Sequence, residues 1–225
     1  MIVNETITII IAIVIGYLLG SIPTAYIVTR WVYGKDIRKI GGGNVGTHNV
    51  YENIGKLPAI VVGIIDVGKG VASVYIALAF IPSSDYYYWV FAASLAAVIG
   101  HIWPVFLKFK GGNGIATSIG ILFVLMTREA LIALAVTILL LVISRNMILS
   151  INIGLLLTIP IAPVFLRDPW LPYLIFSLIL IMILISNFFP IMKAAVVKAG
   201  SKEKLTADLL RFEQEKPSGK KGKNK

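Results

Sequence analysis

The stretch Thr6–Val28, TITIIIAIVIGYLLGSIPTAYIV, decides the fold class, because 23 residues pass without one charged side chain. About 20 consecutive apolar residues are what a helix needs to cross the roughly 30 Å hydrocarbon core of a bilayer. The run follows Glu5 rather than a basic segment. It therefore lacks the charged start of a cleaved secretory signal and reads as a first membrane span. The rest of the chain agrees. Of 225 residues 57% are apolar types and 14% are charged, where a soluble domain carries about 25% charge. Mean hydropathy is +0.87. A water-soluble enzyme is excluded, and so is disorder, which needs few hydrophobes and much charge. What remains is an all-α, polytopic integral membrane protein.

Outward from that run, apolar stretches separated by polar breaks give about seven spans. The first covers Thr6–Val28 with Pro23 near its end, the second Leu57–Ile81 and the third Tyr88–Phe106. Two shorter stretches, Gly114–Met126 and Ala130–Ser144, are split by Thr127-Arg128-Glu129, and Met147–Leu166 and Trp170–Met192 complete the set. Positive charge orients them, because basic loops are retained in the cytoplasm. With the N-terminus outside, eighteen Lys and Arg fall on the inner side, against Arg128 and Arg167 outside. Joining Gly114–Ser144 into one helix would turn the polybasic tail outward, so two short or re-entrant spans are expected there. The chain thus reads as a transmembrane domain over 1–192 and a basic cytoplasmic tail over 193–225, partly disordered. That tail either attracts anionic inner-leaflet lipid or serves only to set orientation. Tyr86-Tyr87-Tyr88-Trp89 reads as an interfacial aromatic belt on the outer side.

Cysteine is absent, which excludes disulfides, thiolate zinc sites and a cysteine nucleophile. His48 and His101 are too few for a histidine-rich metal site, and no metal is expected. The polar residues collect in three clusters near the inner face. In the first, Gly20-Ser21-Ile22-Pro23 is followed by Asp36-Ile37-Arg38 and by Gly41-Gly42-Gly43-Asn44-Val45-Gly46-Thr47-His48-Asn49. Pro23 interrupts the helical ladder and frees the carbonyl of residue 19, and Ser21 beside it can face a polar cavity. The glycines expose amide donors suited to an anion, Arg38 adds a forked cation, and Asn44 and Asn49 add further polar groups. The plainer alternative is a connecting turn. The second cluster, Phe109-Lys110-Gly111-Gly112-Asn113-Gly114-Ile115-Ala116-Thr117-Ser118, runs into a helix whose N-terminus favours phosphate. It lacks the spacing of a Walker A loop, and it reads equally well as small-residue packing. In the third, Asp66 and Lys69 stand three apart in the second span. They share one helical face, as a structural ion pair or as a transporter's proton relay. His101 falls just before the Lys110 turn, where it can line the same cavity.

Together these clusters resemble the bacterial acyl-phosphate:glycerol-3-phosphate acyltransferases, the PlsY type. The likeness rests on Gly20-Ser21-Ile22-Pro23, Asp36-Ile37-Arg38, Gly43-Asn44-Val45-Gly46 with Asn49, Asp66 with Lys69-Gly70, and Gly100-His101 followed by Phe106-Leu107-Lys108-Phe109-Lys110-Gly111-Gly112. It covers about residues 16 to 120. The resemblance implies a seven-span enzyme of the cell membrane whose site faces the cytoplasm. Its reaction moves a fatty acyl group from acyl phosphate to the 1-hydroxyl of glycerol 3-phosphate, giving lysophosphatidic acid and phosphate. Ser21 and Arg38 then belong to its first motif, and Gly111, Gly112 and Gly114, with Lys110 beside them, to its glycerol-phosphate loop.

On this reading Ser21, Arg38 and His101 are catalytic candidates. Gly43, Asn44, Gly46, Asn49, Lys110, Gly111, Gly112 and Gly114 bind phosphate, and Asp66 and Lys69 support the site. The base is either His101 or a substrate phosphate. Membrane lipid is a partner, no cofactor or nucleic acid is expected, and an acyl-phosphate-producing enzyme acts upstream. Three positions depart from the family pattern. Asn113 stands where its loop carries lysine, and His48 where threonine is common. The third motif, a histidine and an asparagine near a glutamate, is replaced by Ser186-Asn187-Phe188-Phe189-Pro190. Outside the resemblance, the residues are also compatible with an organic-phosphate transporter or a non-catalytic lipid-binding protein.

Overall fold

In lipid a backbone amide finds no water to bond, so a chain this apolar satisfies its main chain within helices. The computed structural model describes residues 2–80, 86–144, 150–157 and 170–199, with side chains over 5–80, 87–144, 150–157 and 171–185. It is helical throughout these residues apart from short connections. The order is α1 (Ile2–Ser21), α2 (Thr24–Tyr33), α3 (Thr47–Asn53), α4 (Lys56–Phe80), α5 (Tyr86–Ile102), α6 (Ile115–Leu125), α7 (Thr127–Ser144), α8 (150–157) and α9 (Trp170–Ala199). Single 3-10 turns lie at Ile37–Lys39 and Val105–Leu107.

Four helical stretches among the described residues are long and apolar enough to cross a membrane: Glu5–Tyr33, Lys56–Phe80, Tyr87–Leu107 and Thr127–Ser144. Ile115–Leu125 and Leu171–Ile185 are apolar but shorter. The expected fourth span is therefore an 11-residue helix. At 1.5 Å per residue it reaches about 17 Å, roughly half the hydrocarbon core. Met126, in a non-helical conformation at φ −138° and ψ 56°, separates it from α7. Part of the expected span Met147–Leu166 lies outside the described residues, as does the tail from residue 200. The last helix runs without a break across the expected boundary at 192, as far as Ala199.

The first expected span is two helices. Pro23 ends α1 at Ser21 and α2 restarts at Thr24. The freed carbonyl is not that of Leu19, which accepts from the Ile22 amide at 3.3 Å. It is that of Ile22, shared between the Thr24 amide at 3.0 Å and the Lys69 ammonium at 2.6 Å. Gly34, at φ 65°, then terminates α2 in the left-handed conformation that ends many helices.

Small residues set the helix spacing, as expected where lipid removes the hydrophobic drive between helices. A Cβ on Gly16 or Gly20 of α1 would strike the Ala93 or Ala97 carbonyl of α5. Gly100 of α5 lies as tightly against Tyr17. Across the molecule, Gly70 of α4 meets the Thr117 carbonyl and Gly120 of α6 meets that of Val67. Around these crossings Val74, Val98, Ile121, Phe176 and Leu180 form the main core. At the end of α5 away from His101, Phe91 packs on Phe176 and Tyr173 with ring centroids 4.8 and 5.1 Å apart. Tyr87, expected in the interfacial belt, packs inward onto Tyr173, while Tyr88 and Trp89 are exposed. A second, smaller core of Ala25, Ile37, Val45, Val50, Val62 and Leu107 fastens both glycine loops against α4.

Candidate active site

Four elements close around one polar cavity: the end of α1, the middle of α4, the end of α5 and the glycine loop before α6. Ser21, Asp66, Lys69, His101, Gly111 and Gly112 line it. Three of the side chains reach it from helices that the glycine crossings hold rigidly together. Lys69 Nζ lies 2.7 Å from Asp66 Oδ1, with 4% and 2% of these side chains exposed. This is a charge contact rather than an aligned hydrogen bond, and it leaves the oxygen available to a donor. The same ammonium donates to the Ile22 carbonyl, so one side chain both pairs with Asp66 and caps the break made by Pro23. His101 Nδ1 is 3.2 Å from Thr117 Oγ1 and 3.8 Å from Asp66 Oδ1. Ser21 is fully buried, and its hydroxyl has no hydrogen-bond partner. Such a group costs about 1–3 kcal/mol to bury unsatisfied. The cavity is small, about 10 Å³, barely the room of one water.

The two glycine loops touch. The Val45 amide donates to the Gly111 carbonyl at 3.3 Å, and a Cβ on Gly46 would come 3.9 Å from Gly112 Cα. A Cβ on Gly112 would collide with the His101 imidazole, so only glycine lets the loop lie flat on that ring. Two sets of hydrogen bonds shape this junction. The Gly111 and Gly112 amides, expected to face phosphate, donate to the Ile102 and His101 carbonyls at 3.0 and 3.1 Å and pin the loop to the end of α5. Asn49, expected to bind phosphate, donates its amide to the Ile37, Ile40 and Asn44 carbonyls at 3.3, 3.1 and 2.8 Å, which shapes the first loop from within. The Gly43 amide is likewise bonded to the Ile40 carbonyl. Gly114, at φ 78°, caps α6, whose first amides have no partner within the helix and point out of its N-terminus. Asn113 beside it buries an Oδ1 without a partner. Lys108 and Phe109 both adopt positive φ, 53° and 61°, a strained pair for side chains other than glycine.

Arg38 is placed differently from expectation. It does not line the cavity. Its guanidinium forks onto Asp36, Nε to Oδ1 at 3.0 Å and Nη2 to Oδ2 at 2.8 Å, and lies 4.7 Å over the Tyr26 ring. The hydrogen bonds from Arg38 hold the Asp36 carboxyl at about 2, below its ordinary 3.8, and that carboxylate raises the arginine in turn. Two of five guanidinium donors are engaged and 40% of the side chain is exposed, so Arg38 is a held cation on the loop beside Gly43. Lys110 is exposed at the head of the second loop. The side chains of 186–190, where the third motif is expected, lie outside the described residues.

Residues 10–194 match the family model described as glycerol-3-phosphate acyltransferase. The chain belongs to the glycerol-3-phosphate acyltransferase family. A relative from Endomicrobium trichonymphae with that name is 47% identical over 127 residues, covering 56% of this chain and 62% of that protein. A glycerol-3-phosphate acyltransferase 2 from Moorella thermoacetica (strain ATCC 39073 / JCM 9320) is 36% identical over 172 residues, 75% of this chain and 84% of its own. Over the first of these relatives the chain spans less than two thirds of their length, and about half, 52%, of one from Synechococcus sp. (strain CC9902). Crystal structures of PlsY, an integral membrane glycerol 3-phosphate acyltransferase, superpose with TM-scores of 0.73 and 0.71 at 27% and 25% identity. The first, a glycerol 3-phosphate form, covers 85% of this chain and 92% of that one, and the second, a lysophosphatidic acid form, covers 88% and 98%.

Several site features of this family member were not read from its sequence. Thr117 stands in the second polar cluster, but its contact with His101 across 16 positions was not read. Gly16 and Gly20 stand four apart, a spacing that signals close helix packing and fixes where Ser21 falls. The Ile22 carbonyl as an acceptor for Lys69 has no signal in residue identity at all.

Proposed function

We propose that the protein is a membrane acyltransferase that moves a fatty acyl group from acyl phosphate to the 1-hydroxyl of glycerol 3-phosphate, releasing lysophosphatidic acid and phosphate. One observation carries the reading: a fully buried, unpartnered Ser21 hydroxyl stands with the Lys69 ammonium and the His101 imidazole where the two glycine loops meet. An unsatisfied donor beside a buried cation suits a substrate oxygen that carries or gains negative charge. The names of the relatives and the two bound forms of PlsY supply the substrate class.

In this scheme the 1-hydroxyl oxygen attacks the acyl carbonyl carbon. A carbon–oxygen ester bond forms, the bond from that carbon to the phosphate oxygen breaks, and phosphate leaves with the electron pair. His101, held by Thr117, accepts the hydroxyl proton. Ser21 donates to the developing oxyanion, and Lys69 holds the Ile22 carbonyl and Asp66 in place around it. The N-terminus of α6 behind Gly114, with Lys110, takes one phosphate. Gly43, Asn44, Gly46 and Asn49 form the wall on which the second loop rests, and Arg38 gathers anionic substrates at its edge. Holding both anions together turns a bimolecular step into an effectively unimolecular one.

The positive-inside distribution of basic residues supports seven spans in a cell membrane, with the N-terminus outside and the site and the basic tail, 193–225, on the cytoplasmic side. An enzyme that makes acyl phosphate must act upstream. The test is purified protein with palmitoyl phosphate and labelled glycerol 3-phosphate, with neither nucleotide nor coenzyme A present. Lysophosphatidate and phosphate are expected in equal amounts. Uptake of label into sealed vesicles without product would assign a transporter instead.

A further inference from the structure

His101 presents its two ring nitrogens to two different environments. Nε2 faces the junction of the glycine loops: a Cβ on Gly112 would strike it, and the same Cβ would come within 2.9 Å of the Val45 carbonyl. Val45 and Gly112 line the cavity together with Ser21. Nδ1 faces the helices instead, 3.2 Å from Thr117 Oγ1 on α6 and 3.8 Å from Asp66 Oδ1 on α4. All three side chains are buried. The crossing of α4 and α6 brings Asp66 and Thr117 to the same nitrogen. Gly70 lies against the Thr117 carbonyl, and Gly120 against that of Val67, the residue after Asp66.

The neighbours of Nδ1 decide which nitrogen carries the hydrogen of the neutral ring. Asp66 pairs with the Lys69 ammonium at 2.7 Å, so it is a carboxylate, which only accepts. Its Oδ1 is buried and has no hydrogen-bond donor. A hydrogen on Nδ1 points toward that acceptor, and an unprotonated Nδ1 would set two lone pairs against each other. Thr117 Oγ1 both donates and accepts, so it steadies the ring without choosing between the two forms. In an imidazole the partner of one nitrogen fixes the role of the other.

We infer that Asp66 is a positioning residue of the transfer step: it fixes His101 with its hydrogen on Nδ1, so that the Nε2 lone pair faces the substrates. The inference rests on the acyl-transfer reading and assigns the accepting atom within it. Nε2 takes the proton of the 1-hydroxyl as that oxygen bonds to the acyl carbon. The Asp66 carboxylate faces the positive ring through Nδ1, and Nε2 then gives the proton to the phosphate as it leaves. The ring ends as it began, with no other proton donor or acceptor required.

Nitrogen-15 NMR of the full-length protein, labelled at histidine and free of substrate, reads the tautomer directly. The chain has two histidines, and His48→Gln assigns their signals. The parent shows His101 as Nδ1–H. Asp66→Asn, which offers Nδ1 an amide donor, turns the ring to Nε2–H, lowers kcat at least about 100-fold and leaves the KM for glycerol 3-phosphate within about twofold. Thr117→Val keeps the Nδ1–H form but lowers kcat about tenfold, and Thr117→Ser restores it. An Asp66 that served the packing alone would alter stability and leave the tautomer unmoved. A parent ring found as Nε2–H, or protonated on both nitrogens, overturns the inference, and this spectrum decides it even where Asp66→Asn does not fold. A folded Asp66→Asn variant that keeps Nδ1–H, or keeps kcat within about threefold of the parent, overturns it too. An Nδ1–H ring in a protein that makes no lysophosphatidate keeps the assigned tautomer and sinks the acyl-transfer reading. Lysophosphatidate made by a protein with an Nε2–H ring does the reverse.

Discussion

Replacing Asp66 by Asn removes the only carboxylate paired with Lys69 among the described residues, in a place where the two side chains keep 2% and 4% of their surface. Breaking a buried pair by removing one member costs about 3–5 kcal/mol. The ammonium retains the Ile22 carbonyl at 2.6 Å, a bond to a charged group of the kind worth about 1.5–3 kcal/mol, so the lower end, about 3 kcal/mol, is expected. Lys69→Met does more harm. It leaves Asp66 with only the imidazole 3.8 Å away and strips the Ile22 carbonyl, at about 4 kcal/mol in all. Removing both charges in Asp66→Asn/Lys69→Met costs less than the two single changes together, with a coupling of at least about 2 kcal/mol. The assay is thermal unfolding in one fixed detergent, followed by tryptophan fluorescence. For a chain of this length a loss of 3 kcal/mol lowers Tm by about 6–12 °C. Single variants within 1 kcal/mol of the parent, or a double variant equal to their sum, would refute the claim that this pair holds the broken helix in place.

Arg38→Gln releases Asp36 from about 2 toward its ordinary 3.8, measurable by carbon NMR of the labelled carboxylate. Because the folded value is the lower one, the pair's contribution is complete above pH 3.8 and is lost as pH falls through 2, so it is constant across neutral pH. His101→Gln lowers kcat by about 100-fold and removes the acid limb of the pH–rate profile, and a kcat within threefold of the parent would exclude the imidazole as proton acceptor. Gly100→Ala drives a methyl against Tyr17 and to 3.0 Å from Ser21 Oγ, costing about 1–3 kcal/mol and lowering turnover, whereas Gly68→Ala, with nothing within 4 Å, stabilises by about 1 kcal/mol. Equal effects at the two glycines, read from Tm and initial rate, would dismiss the close approach at Ser21.

What could be read in the chain, and what could not, follows from the range of the forces involved. The span of Thr6–Val28 and the break at Pro23 were legible because hydropathy and proline geometry act locally. That Asp66 and Lys69 pair was legible for the same reason, since three residues apart is one helical face. The acceptor of Lys69 was not, because it lies 47 positions away on another helix and is a main-chain atom. The glycine loops were read as rows of free amides. Their amides instead reach carbonyls that only the folded ends of α5 and the first loop bring near. The bonds of Asn49 were hidden in the same way: a side chain with two donors reads alike whether it meets a phosphate or three loop carbonyls. Arg38 was placed at the reacting centre by its chemistry, and Asp36, two residues before it, was the unread signal that the fork was already occupied.

The proposed acyl transfer requires a site that takes hold of phosphate rather than of the glycerol skeleton. Calorimetric titration of the purified protein with glycerol 3-phosphate at low salt tests this most directly, beside glycerol alone and beside the Arg38→Ala/Lys110→Ala variant. Charge-assisted contacts of about 1.5–3 kcal/mol predict a Kd at least about tenfold weaker in the variant, and no measurable heat from glycerol. A variant that binds as tightly as the parent, or glycerol that competes as well as its phosphate, would contradict it.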